Sequence, residues 1–499
     1  MNDNLPKGWA EISLEAAGFW RSGGTPSRRR PEFFGKGVPW VKSGDLPDGL
    51  ILRTEEEITE LGLQNSSAKL MPAGTISMAL YGATIGKLGV MTFPAATNQA
   101  CANIIPDKRS VDSKYLFYYL LSERRTFIEQ GQGGAQPNIS QEIVRSHPFR
   151  LAPLVEQRRI VAKLEPLLAK VLACQKRLEN IPTILKRFRQ AVLAAACSGR
   201  LTADWRERNV TVPLTTTVIE KLKETVVGKK IRRGVPESVA VSDVVAEWQL
   251  PETWGSYSTA ELLRFGAFVD VKDGNHGANH PKVSQFTETG LPFITAAQVN
   301  KYSIDYDGAY KLSGEPLKRI RVGLAKSGDV IYTHKGSVGR VAVADRTCVL
   351  TPQTTYYRVN PKVFLNRFVM FYLASQAFSE QVNVVKEQTT RDFVPISEQY
   401  LLFHRVPPLP EQQEIVRRVE SLFNLVDRIE ARYNKAKAQV EKLTQSTLAK
   451  AFRGELVTTE AELAEEEGRS YESAADLLAR ITSIPEHRNT VHKRPSTPK

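Results

Sequence analysis

The stretch GATIGK at 82–87 sets two glycines and a lysine in the manner of a phosphate-cradling loop, and FFGKG at 33–37 has the F-x-G-x-G spacing of a methyltransferase cofactor loop. Neither carries its chemistry through. GATIGK has three residues between its glycines where four are required, Leu88 stands where Ser or Thr would hold magnesium, and the related stretch further along has Arg340 at the lysine position. FFGKG follows RRRPE instead of an apolar strand and has no Asn/Asp-Pro-Pro-Tyr partner, so it reads as a turn. PDKRSVDSK (106–114) resembles a metal-nuclease carboxylate cluster but runs straight into a helical pattern, which makes it a loop and helix cap. His276 and His280 lie in KDGNHGANHP without cysteine or further ligand spacing, and read as a polar recognition loop rather than a metal site. No Ser/His/Asp or Cys/His constellation assembles, so the expectation is a chain with no catalytic residue and no metal.

What positions these loops is a unit written twice. LPKGW (5–9) returns as LPETW (250–254), AGTISMALYGATIGKLGV (73–90) as SGDVIYTHKGSVGRVAV (327–343), PLVEQRRIV (153–161) as PLPEQQEIV (408–416), and QAVLAAACSGRLT (190–202) as QSTLAKAFRGELV (445–457). About 200 residues per copy means duplicated domains, since solenoid repeats run to 20–50. Each copy opens with short β-rich runs, turn residues and one helical segment, SKYLFYYLLSERRTFIEQ or NRFVMFYLASQAFSEQV. That composition predicts a compact α/β domain.

Each copy then changes to a heptad pattern. Ile160, Leu164, Leu167, Val171, Cys174, Leu178, Ile181, Leu185, Phe188 and Val192 step by alternating four and three, and Ile415, Val419, Leu422, Val426, Ile429, Tyr433, Ala436, Val440 and Leu443 keep the same beat. One narrow apolar seam ~50 Å long needs a partner helix, which predicts an intramolecular antiparallel coiled coil of 154–196 with 409–451. The competing reading is two amphipathic helices, each packed on its own domain. Pro182 predicts a kink or restart in the first helix. Gly199 and Gly454 stand where a helix end favours a left-handed residue. The expected layout is a first α/β domain (1–153), a spacer helix (154–202), a linker (203–249), a second α/β domain (250–408), a second spacer helix (409–456) and a tail (457–499), with pseudo-two-fold symmetry.

With 499 residues, 41% apolar and 24% charged, the chain has ordinary globular composition. The opening lacks an apolar core of signal-peptide length and no run approaches 18 apolar residues, so neither export nor membrane spanning is expected. Cys101, Cys174, Cys197 and Cys348 are scattered, as befits reduced thiols in the cytoplasm. A net charge of +14 favours a polyanionic partner, because each Lys or Arg set against a phosphate releases counterions.

Two basic α/β domains joined by helices resemble the specificity subunit of type I restriction–modification enzymes, of the enterobacterial type with two target recognition domains. The resemblance rests on LPKGW and LPETW, GQGGAQPNIS (131–140), PLVEQRRIVAKLEPLLAKV with IPTILKRFRQAVL, and PPLPEQQEIVRRVESLF with LTQSTLAKAFRGEL. The second domain departs from the glycine-rich pattern, with KEQTTRDFVPIS (386–397) in its place. The resemblance implies two readers of a split double-stranded DNA target, helices that space them and dock two methyltransferase subunits, and motor and nuclease subunits joining the complex. It also implies that adenine methylation and restriction are directed from here while S-adenosylmethionine, ATP and magnesium belong to the partners. The alternatives are a stand-alone DNA-binding regulator and a degenerate methyltransferase or nuclease acting alone.

Base edges in the major groove are told apart by Arg or Lys on guanine and Asn or Gln on adenine, whereas phosphate contacts fix register. Polar residues in loops beside the short strands are therefore the candidates. In the first domain they are Arg28, Arg29, Arg30, Lys42, Ser43, Tyr81, Lys87, Asn98 and Gln99; in the second, Lys272, Asn275, His276, Asn279, Gln298, His334, Lys335, Arg340, Gln353 and Arg391. The candidate helix interface comprises Ile160, Leu164, Leu167, Val171 and Leu178 with Ile415, Val419, Leu422, Val426 and Ile429.

Overall fold

The computed structural model describes residues 5–131, 138–226, 234–277, 280–300, 302–388 and 392–483. The chain divides into two compact units, Met1–Glu179 with Lys435–Lys499, and Asn180–Asn434.

In the first unit, strand Ile76–Ala79 lies between Cys101–Pro106 and Leu88–Met91 in a five-stranded sheet closed by Gly18–Ser22 and Gly49–Ile51. All four residues of Ile76–Ala79 are buried, as a central strand covered on both faces requires. A second sheet sets Phe34–Val41 antiparallel to Glu56–Ile58 and parallel to Ala96–Thr97. FFGKG therefore forms the start of a strand, irregular because both Phe34 and Val38 pair with Ile58 and because Gly35 takes a positive φ of 139°. Ala10–Ser13 pairs with Pro148–Leu151 and so ties the domain's beginning to its end.

The second unit repeats the plan. Thr354–Val359 and Val330–Thr333 are central in a four-stranded sheet flanked by Phe268–Asp273 and Val341–Val343. Leu291–Ile294 runs antiparallel to Tyr310–Leu312 and parallel to Cys348–Leu350, and Gly255–Ser258 pairs with Phe403–Val406.

The helical segment of each domain is two helices rather than one. In the first unit Ser113–Ser122, capped by Asp112 accepting from Lys114 N and Tyr115 N, gives way at Glu123 to Arg124–Gln130. In the second, Asn366–Leu373 stops and Ser375 caps a fresh helix, Gln376–Val385, by accepting from Phe378 N. The Asp112 cap places PDKRSVDSK at a loop and helix start.

The spacer helices also differ from one another. The first copy is Leu154–Glu179 followed by Ile181–Cys197, with Pro182 in the opening turn of the restart, where its missing N–H costs nothing. The second copy, Leu409–Ala451, is unbroken and contributes to both units. In the first unit the start of one helix (Ile160, Leu164) and the end of the other (Leu448, Ala451, Phe452) enter the core of the α/β domain. In the second unit Val192, Leu193 and Cys197 enter a core with Ile415, Val419 and Phe423. The helices are thus antiparallel within each unit, and their ends pack on the domains as well as on each other.

Burial along the seam is uneven. Ile160, Leu164, Ile415, Val419 and Val426 are buried, while Leu167, Val171, Leu178 and Leu422 are half-buried. Ile429, Phe188, Leu443 and Cys174 are exposed, because two helices cannot enclose a seam once the flanking domain is left behind.

Segment 203–249, expected as a linker, carries short helices Ala203–Arg208, Thr215–Val226 and Asp243–Ala246. Ile219, Val235 and Val245 are buried, the first two within the second unit's core, so much of the segment is packed structure. In the tail, Glu460–Glu466 and Ala474–Ser483 form helices, the second burying Ala474 and Leu477. The four cysteines are free thiols. Among the described residues no helix is long and apolar enough to cross a membrane, and no group of three His, Cys, Asp or Glu could hold a metal ion.

Candidate nucleic-acid interface

In each unit, strand ends from the two sheets meet along one rim, held by matching main-chain bonds. In the first, Gly23 N donates to Cys101 O, Gly24 N to Thr97 O, Leu80 N to Ala100 O and Ile139 N to Leu80 O, at 3.2, 2.8, 2.8 and 2.9 Å. In the second, Gly274 N donates to Thr354 O, Asn275 N to Leu350 O, His334 N to Gln353 O and Val394 N to His334 O, at 2.7, 2.7, 2.9 and 2.9 Å. A Cβ on Gly23 or Gly274 would lie 1.8 Å from the carbonyl oxygen of Asn98 or Thr351, so only glycine fits there.

The first rim gathers Tyr81, Asn98 and Gln99. The Gln99 amide meets the Thr25 hydroxyl, Asn98 N donates to Val41 O at 2.9 Å beside Lys42 and Ser43, and Tyr81 pairs with Asn138. Lys42 Nζ lies 3.1 Å from both Glu55 and Glu56; the hydrogen bond to Glu56, then that to Glu55, holds its ammonium above the usual lysine range. Arg28 lies 2.8 Å from Glu56, and Arg30 pairs with Glu32. Arg29 is exposed, and Lys87 is half-buried in the turn that joins Ile76–Ala79 to Leu88–Met91.

The second rim gathers Asn275, His276, His334, Lys335 and Gln353. His276 Nδ1 lies 3.0 Å from Gly274 O and Lys335 Nζ lies 5.1 Å from the centre of the Phe393 ring. His334 is buried with Nδ1 3.0 Å from Val394 O and Nε2 unpartnered, and burial pushes its imidazole below the ordinary histidine range. Three further candidates are engaged with neighbours. Lys272 is 3.0 Å from Asp270, Gln298 accepts from Thr295 N at 3.1 Å, and Arg340 donates to Ala296 O and Asn300 at 3.1 and 3.2 Å. Asn279 and Arg391 lie outside the described residues, as do 132–137 of the glycine-rich stretch.

Thr25, Glu56, Phe34 and Trp40 in the first unit and Phe393 in the second neighbour these candidates and are not among those the sequence singled out. Thr25 follows a Gly-Gly pair, a signal of close main-chain approach; the others become visible only when the strands pair.

Both rims lie where polar side chains converge on loops over a rigid sheet, an arrangement suited to reading a ligand's edge rather than to catalysis. The family model described as the type I restriction modification DNA specificity domain matches residues 6–183 and 268–438, well over half of the chain. The type I restriction enzyme EcoBI specificity subunit of Escherichia coli is 29% identical over 367 residues, 73% of this chain and 70% of that one. The EcoKI specificity subunit of Escherichia coli K12 is 27% identical over 470 residues, 91% of this chain and 90% of that one. A solved chain from work on complex assembly and conformational transition of the type I R-M system covers 90% of this chain and 99% of its own at 19% identity, with a TM-score of 0.65. The chain belongs to the family of type I restriction–modification specificity subunits, the non-catalytic components through which those enzymes recognise DNA sequence.

Proposed function

We propose that each unit reads one half of a split double-stranded DNA target and that the spacer helices dock two methyltransferase subunits, to which motor and nuclease subunits add. S-adenosylmethionine, ATP and magnesium belong to those partners, and the chain directs adenine methylation and restriction in the cytoplasm. The observation that carries this reading is the duplicated rim: the same four main-chain bonds recur, yet the side chains they present differ. Tyr81 occupies the position of Lys335, both exposed, and Ala100 that of Gln353. One scaffold with two sets of polar groups is what two different half-sites require. Exposed apolar side chains on the helices of each unit, Phe188 and Ile429 in the second and Leu443 in the first, support docking of further subunits.

The test is genome-wide mapping of methylated adenines in cells expressing this chain with its methyltransferase subunits. A bipartite motif, with loss of methylation when the chain is deleted, is expected. Methyl transfer by the purified chain alone, or a continuous motif, contradicts the reading.

A further inference from the structure

Beside Gln99 and Thr25 lies a charge cluster that does not suit a phosphate clamp. Arg28 Nη1 is 2.8 Å from Glu56 Oε2, while Lys42 Nζ is 3.1 Å from Glu56 Oε1 and 3.1 Å from Glu55. Asp45 accepts from Lys42 N at 2.9 Å. Two cations are thus paired with two carboxylates, with a third carboxylate close by, which leaves these two cations little free positive charge for a phosphate.

The same geometry aims one side chain with care. The Arg28 guanidinium carbon lies 4.3 Å from the centre of the Phe34 ring and 5.2 Å from that of Trp40, so the cation rests against two aromatic rings. Trp40 is itself fixed, since Nε1 donates to Gly24 O at 3.0 Å and Gly24 N donates to Thr97 O at 2.8 Å on the rim. Arg28 remains 55% exposed, and a guanidinium carries five donors, most of them uncommitted here. A planar fork, held against two rings and paired with a carboxylate, matches the paired O6 and N7 acceptors of guanine better than a phosphate.

We propose that Arg28 reads a guanine edge within the half-site of the first domain, and that Glu56 is its positioning residue. This rests on the reading of the first domain as a DNA reader. The experiment uses the assembled methyltransferase complex and duplexes in which each base pair of the mapped target is varied in turn, at several salt concentrations. Arg28→Ala is expected to reduce preference at one G·C pair ten- to hundredfold. The other half-site and the salt dependence of non-specific binding stay as they were. Arg28→Lys fails to restore the letter, because an ammonium lacks the fork. Glu56→Gln gives a smaller loss at that same pair, an effect a merely structural role would not confine to one letter. A uniform loss across sequences with a shallower salt slope assigns Arg28 to a phosphate and overturns the proposal. So does an unchanged letter, or a change in the other half-site. If the unmodified complex shows no half-site preference at all, the proposed function fails instead.

Discussion

Trp9 donates its indole N–H to Glu156 across 147 residues of chain, at 2.9 Å and out of contact with solvent, and Trp254 does the same to Glu411 at 2.8 Å. These are the tryptophans of LPKGW and LPETW and the glutamates of the two EQ pairs. Each carboxylate also binds the segment just beyond the end of the other copy's helix. Glu156 accepts from Glu460 N at 2.8 Å, and Glu411 accepts from Thr202 Oγ1 at 2.7 Å and from Arg206 at 2.5 Å. Gly454 and Gly199, with φ of 75° and 78°, turn those ends onto Pro6 and Pro251. The repeated ending is therefore a repeated latch that closes each unit with the other copy's terminus.

Glu411→Ala should cost the second unit about 3–5 kcal/mol, since it leaves the Trp254 indole, the Thr202 hydroxyl and the Arg206 charge without their partner. Trp254→Phe, which removes one donor, should cost about 1–2 kcal/mol before any loss of packing. Urea unfolding of the full chain measures both. Equal costs for the two variants would show that the carboxylate serves the indole alone.

His404 gives the second unit a buried imidazole whose titration couples stability to pH. It is buried, with Nε2 2.8 Å from Thr259 Oγ1, and burial pushes its imidazole down to about 3. The unfolded chain takes up a proton near the ordinary value of 6.5 while the folded chain resists until about 3. The unfolded state therefore binds more protons across that window, and stability falls as pH drops through it, by about 1 kcal/mol per pH unit. The corresponding residue in the first unit is Phe149. His404→Phe should flatten the profile between pH 6.5 and 4, and Thr259 Oγ1 keeps a bond to Leu402 O at 3.1 Å. An unchanged profile in urea titrations would place the pH sensitivity elsewhere.

These features mark what a sequence can and cannot reveal. Gly199, Gly454 and the restart at Pro182 were legible because a left-handed residue and a missing N–H are properties of single residues. The duplication was legible because matched phrases survive at nearly constant spacing. Pairing was not legible. Nothing local tells that Glu56 sits opposite Trp40 across a strand pair and neutralises Arg28 and Lys42. The heptads gave the helices but not their coverage, since Ile160 and Phe188 hold equivalent seam positions and differ only in the domain that flanks one of them.

That difference sets the outcome of substitutions along the seam. Leu164 is fully buried in the first unit's core, whereas Leu422 is half-buried. Leu164→Asp should destabilise by several kcal/mol and abolish complex formation, because an unpaired carboxylate cannot be solvated there. Leu422→Asp should be milder, and Leu443→Asp should leave folding intact while testing docking of the methyltransferase. Thermal unfolding with co-purification of the partner separates the cases. A stable, fully methylating Leu164→Asp chain would show that the seam start is not part of the core.

Helix Leu409–Ala451 has residues in both units, so under the proposed reading a ruler between half-sites would run along it. Four residues inserted after Lys170 and four after Asn434 would lengthen both strands of the antiparallel pair by about 6 Å at 1.5 Å per residue. DNA rises about 3.4 Å per base pair, so the unread spacer should grow by one or two pairs with both sets of half-site letters unchanged. Four residues turn the helix slightly more than once and keep the seam nearly in phase, whereas two rotate it out of register and should abolish function. Insertion after Lys170 alone leaves Leu409–Ala451 at its original length, and is expected to strain the pair instead of moving the spacer. Mapping methylated adenines for the three variants decides among them. An unchanged spacer with full activity in the double insertion would free the helices from any measuring role, and altered letters would draw them into reading.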